Sequence, residues 1–380
     1  MDQSCQYLLN PPDRPGLKLK REFNKILRET DILAFHRSLK EYAPTPLINL
    51  AKLSKSLDIK ELWIKDESLR FGLNAFKALG ASYAVHKYLE GKKEDVTFCT
   101  ASDGNHGRSV AWAAMKTGRK AVIVVPKNTA QARIDNILKY QGSVTVIDGD
   151  YDAAVMYARE EAEKKGYVLM QDTSWRGYTK IPSLITAGYT TIMEEIDEYF
   201  SHPQTPVFDF IFLQAGVGSF ASSVVAYARN RYRGRMPKFV LVEPNESDAF
   251  LESARNNLLS TTRKSQQTIM TGLNCGTPSI LAWEILKDGI DLFLTIPDEY
   301  AIKAMQDLYY PFKNDHQVFS GESGAAGLGG LIALSCNPEL REIKKQIGLD
   351  NQSRVLIFNT EGVTDPDSFE ERISKEVVLY

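Results

Sequence analysis

The amino-acid sequence predicts an α/β fold in which mainly parallel, twisted sheets are flanked by helices. Short apolar runs alternate along the chain with longer stretches of helical periodicity, as in repeated βα units. Several of these runs, such as VFDFIFL at 207–213, are apolar throughout, which is typical of strands buried on both faces of a parallel sheet. The 380 residues are 43% hydrophobic and 25% charged, an ordinary composition for a globular chain of two or three domains.

The elements follow in order along the chain. The strand pattern occurs at 61–65, 96–100, 120–125, 143–147, 167–171, 207–213, 238–242, 292–296 and 354–358. Helical patterns cover 105–117, 130–140, 152–165, 180–200 and 219–233. The polar, weakly patterned segment 245–265 is expected to be a surface insertion with a helix and a mobile loop. Because parallel strands in βα units point the same way, the loops at their carboxyl ends should share one edge of the sheet.

Composition excludes several classes of protein. The net charge of −2, from 46 Lys and Arg against 48 Asp and Glu, argues against a nucleic-acid or anionic-membrane binder. No run of about 18 apolar residues predicts a membrane span. The start of the chain lacks the apolar segment of a signal peptide. Four scattered cysteines and five histidines argue against a metal site, so we expect a cytoplasmic protein that binds a small molecule.

Lys77 is the first candidate for chemistry. It ends the string Asn74-Ala75-Phe76-Lys77, which follows a strand and opens a largely apolar helical stretch. Most lysines are solvated surface residues. In apolar surroundings, however, the amine loses its charge more readily, and a neutral amine forms Schiff bases with carbonyl compounds.

Two glycine-containing loops follow strands and precede helices. Ser102-Asp103-Gly104-Asn105-His106-Gly107 comes after the strand at 96–100, and Gly216-Val217-Gly218-Ser219 after the strand at 207–213. Such loops can aim backbone N–H groups at an anion beside a helix N-terminus. Each is also compatible with an ordinary turn in which a polar side chain caps the helix.

Two further polar residues follow strands. Asp172 could hold a cationic substrate group or cap a helix, and the Thr360 hydroxyl could contact a ligand or belong to a turn. No Ser-His-Asp spacing, P-loop or His-x-x-His pattern occurs.

Taken in order, these motifs resemble the fold-type II (tryptophan synthase β-like) family of pyridoxal phosphate enzymes. That family has a lysine that carries the cofactor, a Ser-x-Gly-Asn-His-Gly loop, a glycine-rich phosphate loop and a C-terminal Ser or Thr. Within it, the strings KDESLRFGLNAFK (65–77), SDGNHGRSVAWAA (102–114), QDTSWRGYTKIP (171–182), QAGVG (214–218) and SGESGAAG (320–327) resemble the diaminopropionate ammonia-lyases. The resemblance runs from about residue 42 to 365.

The resemblance implies how pyridoxal 5'-phosphate is bound. Lys77 would carry it as a Schiff base, Asn105 would bond its phenolic oxygen, and Thr360 would face its pyridine nitrogen. The phosphate would be held by Gly216, Val217, Gly218 and Ser219. A neutral hydroxyl at the pyridine nitrogen makes the ring a weaker electron sink, which favours β-elimination.

The resemblance also implies the substrate site and the reaction. Ser102, Asp103 and Gly104 would meet the substrate carboxylate and Cα, and Asp172 would hold its β-ammonium. Lys77 and Asp103 would be catalytic, with one base on each face of the substrate. The implied reaction is α,β-elimination of D- and L-2,3-diaminopropionate to pyruvate and two ammonia.

Three alternatives stay open: a serine/threonine dehydratase, a β-replacement synthase, and a catalytically silent binding protein of the same fold. Asp103, where serine is usual, argues against the dehydratase. The implied architecture is a large lobe of 1–79 and 181–380 and a small inserted lobe of 80–180, in a homodimer with no metal.

Overall fold

The computed structural model describes residues 4–12, 16–28, 31–92, 95–102, 104–232 and 234–377. The strands in these residues are β1 (Gln6–Leu9), β2 (Leu47–Asn49), β3 (Glu61–Asp66), β4 (Thr97–Ala101), β5 (Lys120–Pro126), β6 (Ser143–Ile147), β7 (Val168–Leu169), β8 (Phe210–Gln214), β9 (Lys238–Pro244), β10 (Leu292–Ile296) and β11 (Arg354–Asn359).

The strands form two sheets. The larger has the order β1-β10-β9-β8-β11-β3-β2 and is parallel except for its two edge strands, β1 and β2. The smaller has the order β6-β5-β4-β7 and is parallel throughout. All strands of the smaller sheet lie within 80–180, the predicted inserted lobe, although the exact lobe boundaries stay a prediction. The predicted α/β class with two mainly parallel sheets is confirmed.

Helices connect and cover the sheets. They are α1 (Arg21–Leu27), α2 (Ile32–Ser38), α3 (Ala51–Ser56), α4 (Lys77–Leu89), α5 (Asn105–Lys116), α6 (Gln131–Leu138), α7 (Tyr151–Lys165), α8 (Lys180–Gly188), α9 (Thr191–Tyr199), α10 (Ser219–Arg231), α11 (Ala249–Asn256), α12 (Ile280–Gly289), α13 (Asp298–Tyr309), α14 (Glu322–Cys336), α15 (Arg341–Ile347) and α16 (Pro366–Ser374). None of the helices described is long and apolar enough to span a membrane.

Two glycines let α4 and α8 pack backbone against backbone. A Cβ at Gly80 would lie 2.6 Å from the carbonyl oxygen of Ile185, and a Cβ at Gly188 would lie 2.7 Å from that of Leu79. Any larger residue would push the helices apart, because interiors have no spare volume. This packing fixes the first turn of α4.

A buried group of charges fixes the turn between β3 and α4. Arg70 Nε lies 2.8 Å from Glu67 Oε2, and Arg70 Nη1 lies 2.7 Å from Glu195 Oε1. Lys65 Nζ lies 2.6 Å from Glu195 Oε2. These side chains are at most 1% exposed. Because loss of one partner would leave an uncompensated buried charge, the group ties this turn firmly to α9.

Three expectations from the sequence were wrong. The helix expected at 180–200 is two helices, α8 and α9, separated at Tyr189 and Thr190. The strand expected at 167–171 is only Val168–Leu169, because the Gln171 side chain turns to bond the backbone N–H of Ala101 at 2.8 Å. The short antiparallel edge strands β1 and β2 were missed, since three or four residues carry too little pattern.

The segment 245–265 is also not a surface insertion. Phe250 and Leu251, at the start of α11, are fully buried. Their N–H groups donate to the two carboxylate oxygens of Glu243, at 2.8 and 2.9 Å. The helix is therefore anchored to the end of β9 and belongs to the core.

Candidate active site

A cleft opens where segments from the two sheets meet. Its walls come from the residues that follow β4, β7, β8 and β11, together with the start of α4. A cleft at the carboxyl ends of parallel strands is a common place for a small-molecule ligand in α/β proteins. The predicted site residues that line it are Lys77, Ser102, Asn105, Asp172, Gly216, Val217, Gly218, Ser219 and Thr360.

Of the predicted site residues that the structure describes, Gly104 is not among those that line the cleft. Gly104 has a φ of +147°, and a Cβ there would lie 3.2 Å from Cδ of Arg133. It therefore packs against α6, beside a small neighbouring cavity. Asp103 lies outside the described residues.

Lys77 is the first residue of α4, and its ammonium group lies in the cleft. It forms an ion pair and a hydrogen bond with the carboxylate of Asp172. It also lies 5.5 Å from the centre of the Phe76 ring. The Lys77 side chain is 19% exposed, whereas that of Asp172 is 3% exposed. The lysine is thus reachable from the cleft, while its partner carboxylate is buried behind it.

Asp172 is a buried carboxylate that is ionised. Burial on its own raises the pKa of Asp172, but the nearby His106 ring and the Lys77 ammonium outweigh it and lower that pKa to about 2. Tyr151 donates to Asp172 Oδ1 at 3.3 Å. The Ser219 hydroxyl donates to the backbone carbonyl of Asp172 at 2.5 Å, which joins the smaller sheet to the start of α10. The carboxylate is therefore ready to hold an amine.

The Ser102 hydroxyl caps α5. Its oxygen accepts the backbone N–H groups of Gly104 at 2.9 Å and Gly107 at 2.8 Å. Capping uses only the oxygen as acceptor, so the hydroxyl proton is left to donate. Ser102 can therefore cap the helix and still bond an acceptor in the cleft.

The loop before α10 presents unused backbone donors. Within the described residues, the N–H groups of Gly216, Val217, Gly218 and Ser219 make no hydrogen bond to a protein acceptor. Gly218 has a φ of +88°, and a Cβ there would lie 2.3 Å from Phe250 Cζ. Four N–H groups at the positive end of a 13-residue helix form a cradle for an anion such as a phosphate.

The Thr360 hydroxyl is held by Gln214. Gln214 Nε2 donates to Thr360 Oγ1 at 3.0 Å and to the carbonyl of Phe358, also at 3.0 Å. The Thr360 oxygen is thus an acceptor, and its own proton is left to donate to an acceptor in the cleft, such as an unprotonated ring nitrogen. Phe76 N–H donates to the Thr360 carbonyl at 3.2 Å, so the segments that carry Lys77 and Thr360 are joined.

Sequence reasoning gave no role to several residues that line the cleft. They are Phe76, His106, Tyr151, Gln214, Ala215, Phe220, Gly272, Leu273, Cys275, Ser323 and Glu361. Gln214 and Ser323 lie within strings that the sequence analysis recognised, and Glu361 directly follows the predicted Thr360, so their positions in the sequence could have indicated them. Cys275 and Tyr151 had no such marker, because only the folding of distant segments brings them here.

Comparisons with known proteins agree with this geometry. The chain matches the family of pyridoxal-phosphate dependent enzymes over residues 39–352. It is 41% identical over 365 residues to a diaminopropionate ammonia-lyase of Salmonella typhimurium, with 90% of each chain covered.

Solved structures give the same result. A crystal structure of the Escherichia coli diaminopropionate ammonia lyase in complex with D-serine is similar, with a TM-score of 0.88 and 34% identity over 97% of both chains. The same enzyme in complex with an aminoacrylate-PLP azomethine reaction intermediate gives a TM-score of 0.86 at 34% identity, over 98% of this chain and 97% of that one.

Proposed function

Because the chain belongs to the pyridoxal-phosphate dependent enzymes of fold-type II and, within them, to the diaminopropionate ammonia-lyase family, we propose that it eliminates ammonia from 2,3-diaminopropionate. One molecule of substrate and one of water give pyruvate and two ammonia. The observation that carries this proposal is the pairing of Asp172 with the Lys77 ammonium, because a buried carboxylate beside the cofactor lysine suits a substrate with a second amino group.

The residues of the cleft fit pyridoxal phosphate, the cofactor of this family. When bound, this group supplies an electron sink that stabilises negative charge at the substrate Cα. Lys77 offers the amine that anchors it, and the four unused N–H groups at 216–219 offer a phosphate site. The hydroxyl proton of Thr360 would donate to the ring nitrogen of the cofactor, and an N–H of Asn105 would donate to its phenolic oxygen.

The substrate's two charged ends have separate sites in this proposal. The Ser102 hydroxyl and the N–H groups at the start of α5 bind the α-carboxylate. Asp172 binds the β-ammonium: the cation beside this buried carboxylate is the Lys77 ammonium in the cofactor-free protein and the substrate's β-ammonium in the complex. Binding at both ends would orient the leaving amino group.

Proton transfer needs two bases if both enantiomers react. Lys77 removes the α-proton from one face, and Asp103, the sequence-based candidate, removes it from the other. The leaving ammonia takes a proton from Lys77 or Asp103. A single base on one face could not serve both isomers.

We also propose that the protein is a homodimer and that it is cytoplasmic. Resemblance to the family supports the dimer. Four free cysteines support a reducing compartment. A serine/threonine dehydratase and a β-replacement synthase are not favoured, because the relative that matches 90% of this chain at 41% identity is a diaminopropionate ammonia-lyase.

The test is steady-state kinetics with L- and D-2,3-diaminopropionate, L-serine, L-threonine and L-cysteine. We expect kcat/KM for both diaminopropionate isomers to exceed that for serine about 100-fold or more, since serine leaves the buried Asp172 carboxylate without its ammonium partner. A preference for serine or threonine would support the dehydratase. Turnover that requires a second, nucleophilic substrate would support the synthase.

A further inference from the structure

Glu361 is a buried carboxylate in the wall of the cleft whose two oxygens both accept hydrogen bonds. Glu361 directly follows Thr360 in the sequence and is 2% exposed. Oε1 accepts the backbone N–H of Ser323 at 3.1 Å, and Oε2 accepts the side-chain amide of Asn105. Glu361 comes after β11 of the larger sheet, and Asn105 comes after β4 of the smaller sheet. Their contact therefore crosses the cleft.

The Asn105 carboxamide is held at both ends. Its oxygen accepts Nη2 of Arg108 at 2.9 Å, and its nitrogen donates to Glu361. A cation at the oxygen and an anion at the nitrogen allow only one orientation of the amide. The amide nitrogen carries two N–H bonds, and Glu361 takes one of them.

The backbone of Glu361 is also fixed. Gly321 N–H donates to the Glu361 carbonyl at 3.0 Å, and Ala75 pairs with Glu361 in an isolated antiparallel bridge. The Glu361 carboxylate therefore belongs to the same backbone segment as Thr360, and that segment lies beside the residues that precede Lys77. Because this backbone is fixed, a side chain that is hydrogen-bonded to the Glu361 carboxylate has little freedom to move.

We propose that Glu361 is a positioning residue: it fixes the Asn105 carboxamide so that its second N–H faces the phenolic oxygen of the bound cofactor. This inference rests on the proposed function, since it takes pyridoxal phosphate as the ligand. A carboxylate behind the amide strengthens the contact, because hydrogen bonds to an ionised acceptor are stronger than neutral ones.

Only a carboxylate fills this role. Two N–H donors, from Ser323 and Asn105, face the two oxygens of Glu361. Glutamine has the same shape, but it offers one oxygen, and its NH₂ group would face a donor. Glu361→Gln therefore breaks one contact without creating a cavity or adding bulk.

The test compares Glu361→Gln with the wild-type enzyme by titrating each cofactor-free protein with pyridoxal phosphate. We expect the Kd for the cofactor to rise about tenfold or more, the cost of one charge-assisted hydrogen bond. The absorption band of the bound cofactor should also shift, since its phenolic oxygen loses a fixed donor. An unchanged Kd and band would overturn the proposal.

Asp197→Asn is the matched control. Asp197 is 1% exposed, and its oxygens accept the hydroxyls of Tyr232 at 2.8 Å and Tyr227 at 2.9 Å, outside the cleft. We expect this variant to lose stability but to keep the wild-type Kd and absorption band. If it changes them as much as Glu361→Gln does, the effect of Glu361 is general and the proposal fails.

The double variant Asn105→Asp/Glu361→Gln separates positioning from a simple link between the sheets. It reverses the contact, because the introduced glutamine can donate to the introduced aspartate, but that aspartate has no N–H for the cofactor. We expect the melting temperature to recover towards wild type while the Kd and band do not. Recovery of all three would reduce Glu361 to a structural link. If the wild-type protein itself bound no pyridoxal phosphate, the proposed function would fail instead.

Discussion

The ammonium group of Lys77 and the carboxylate of Asp172 form an ion pair that joins the two sheets across the cleft. Lys77 follows β3 of the larger sheet and Asp172 follows β7 of the smaller one, 95 residues further along the chain. When the lysine amine is used to anchor the cofactor, the carboxylate loses this partner. Asp172 then becomes free to bind the β-ammonium of the substrate, which links cofactor loading to substrate recognition.

Asp172→Asn should therefore impair diaminopropionate more than serine. Loss of a buried charge-assisted hydrogen bond predicts a drop of about 10- to 100-fold in kcat/KM for diaminopropionate, and a much smaller one for D-serine, which has no β-ammonium. Parallel steady-state kinetics with both substrates check this. Equal losses of kcat/KM with the two substrates would mean that Asp172 does not recognise the β-amino group.

The pH dependence gives a second check on Asp172. In the cofactor-free protein the Lys77 ammonium helps to lower the pKa of Asp172 to about 2; in the loaded enzyme the substrate's β-ammonium takes the place of that cation, so we expect the carboxylate to stay ionised across the neutral range. The acid limb of the wild-type profile of kcat/KM, measured between about pH 5 and 8, should therefore also appear with Asp172→Asn. Disappearance of that limb in the variant would show that Asp172 titrates near neutral pH.

Lys77→Ala should abolish turnover. The loss should exceed the ~10²–10⁴-fold typical of removing one acid–base group, because the anchoring amine is lost as well. The wild-type holoenzyme should show an absorption band that is lost when borohydride reduces the C=N bond to a secondary amine, which leaves the cofactor permanently attached to Lys77; the variant should show neither this band nor this attachment. Substantial activity in Lys77→Ala would place the cofactor on another residue.

Gly218→Ala should weaken cofactor binding about tenfold or more. The Cβ would lie 2.3 Å from Phe250 Cζ, so the loop must move, and a strained backbone of this kind costs about 1–3 kcal/mol. Gly177→Ala is the matched control, because Gly177 has a φ of +90° but nothing within 4 Å of its Cβ. Titration with pyridoxal phosphate should give a raised Kd for Gly218→Ala alone.

Asp103→Asn tests the second base. We expect a loss of about 10²–10⁴-fold in kcat with D-diaminopropionate and a much smaller loss with the L-isomer. Asparagine keeps the shape and the capping ability of aspartate but cannot accept a proton. Equal losses on both isomers would point to a shared role, such as protonation of the leaving ammonia. No loss on either would leave Asp103 as a helix cap.

The sequence predicted those parts of the fold that local pattern controls. The stretches of apolar and β-branched residues at 143–147 and 292–296 became β6 and β10 with the expected bounds. The loops after strands were rightly expected to converge, because parallel strands end at a common edge of their sheet. The helix expected at 180–200 divides at Tyr189 and Thr190, and no proline at that point marks the break.

The contacts that give the site its electrostatics could not be predicted. Asp172 was expected to bind a substrate amine, but its pairing with Lys77 depends on how the two sheets face each other. The role of Gln214 in holding Thr360 depends in the same way on β8 lying beside β11. The arrangement of Glu361 and Asn105 joins residues 256 positions apart, which no local pattern records.

The most direct test of the proposed reaction is the product stoichiometry with each enantiomer of 2,3-diaminopropionate. The holoenzyme is incubated with a known amount of one isomer, and pyruvate and ammonia are measured separately at complete conversion. We predict one pyruvate and two ammonia for each molecule consumed, with both isomers. Absence of pyruvate from both isomers, or a single ammonia for each molecule consumed, would contradict the assignment.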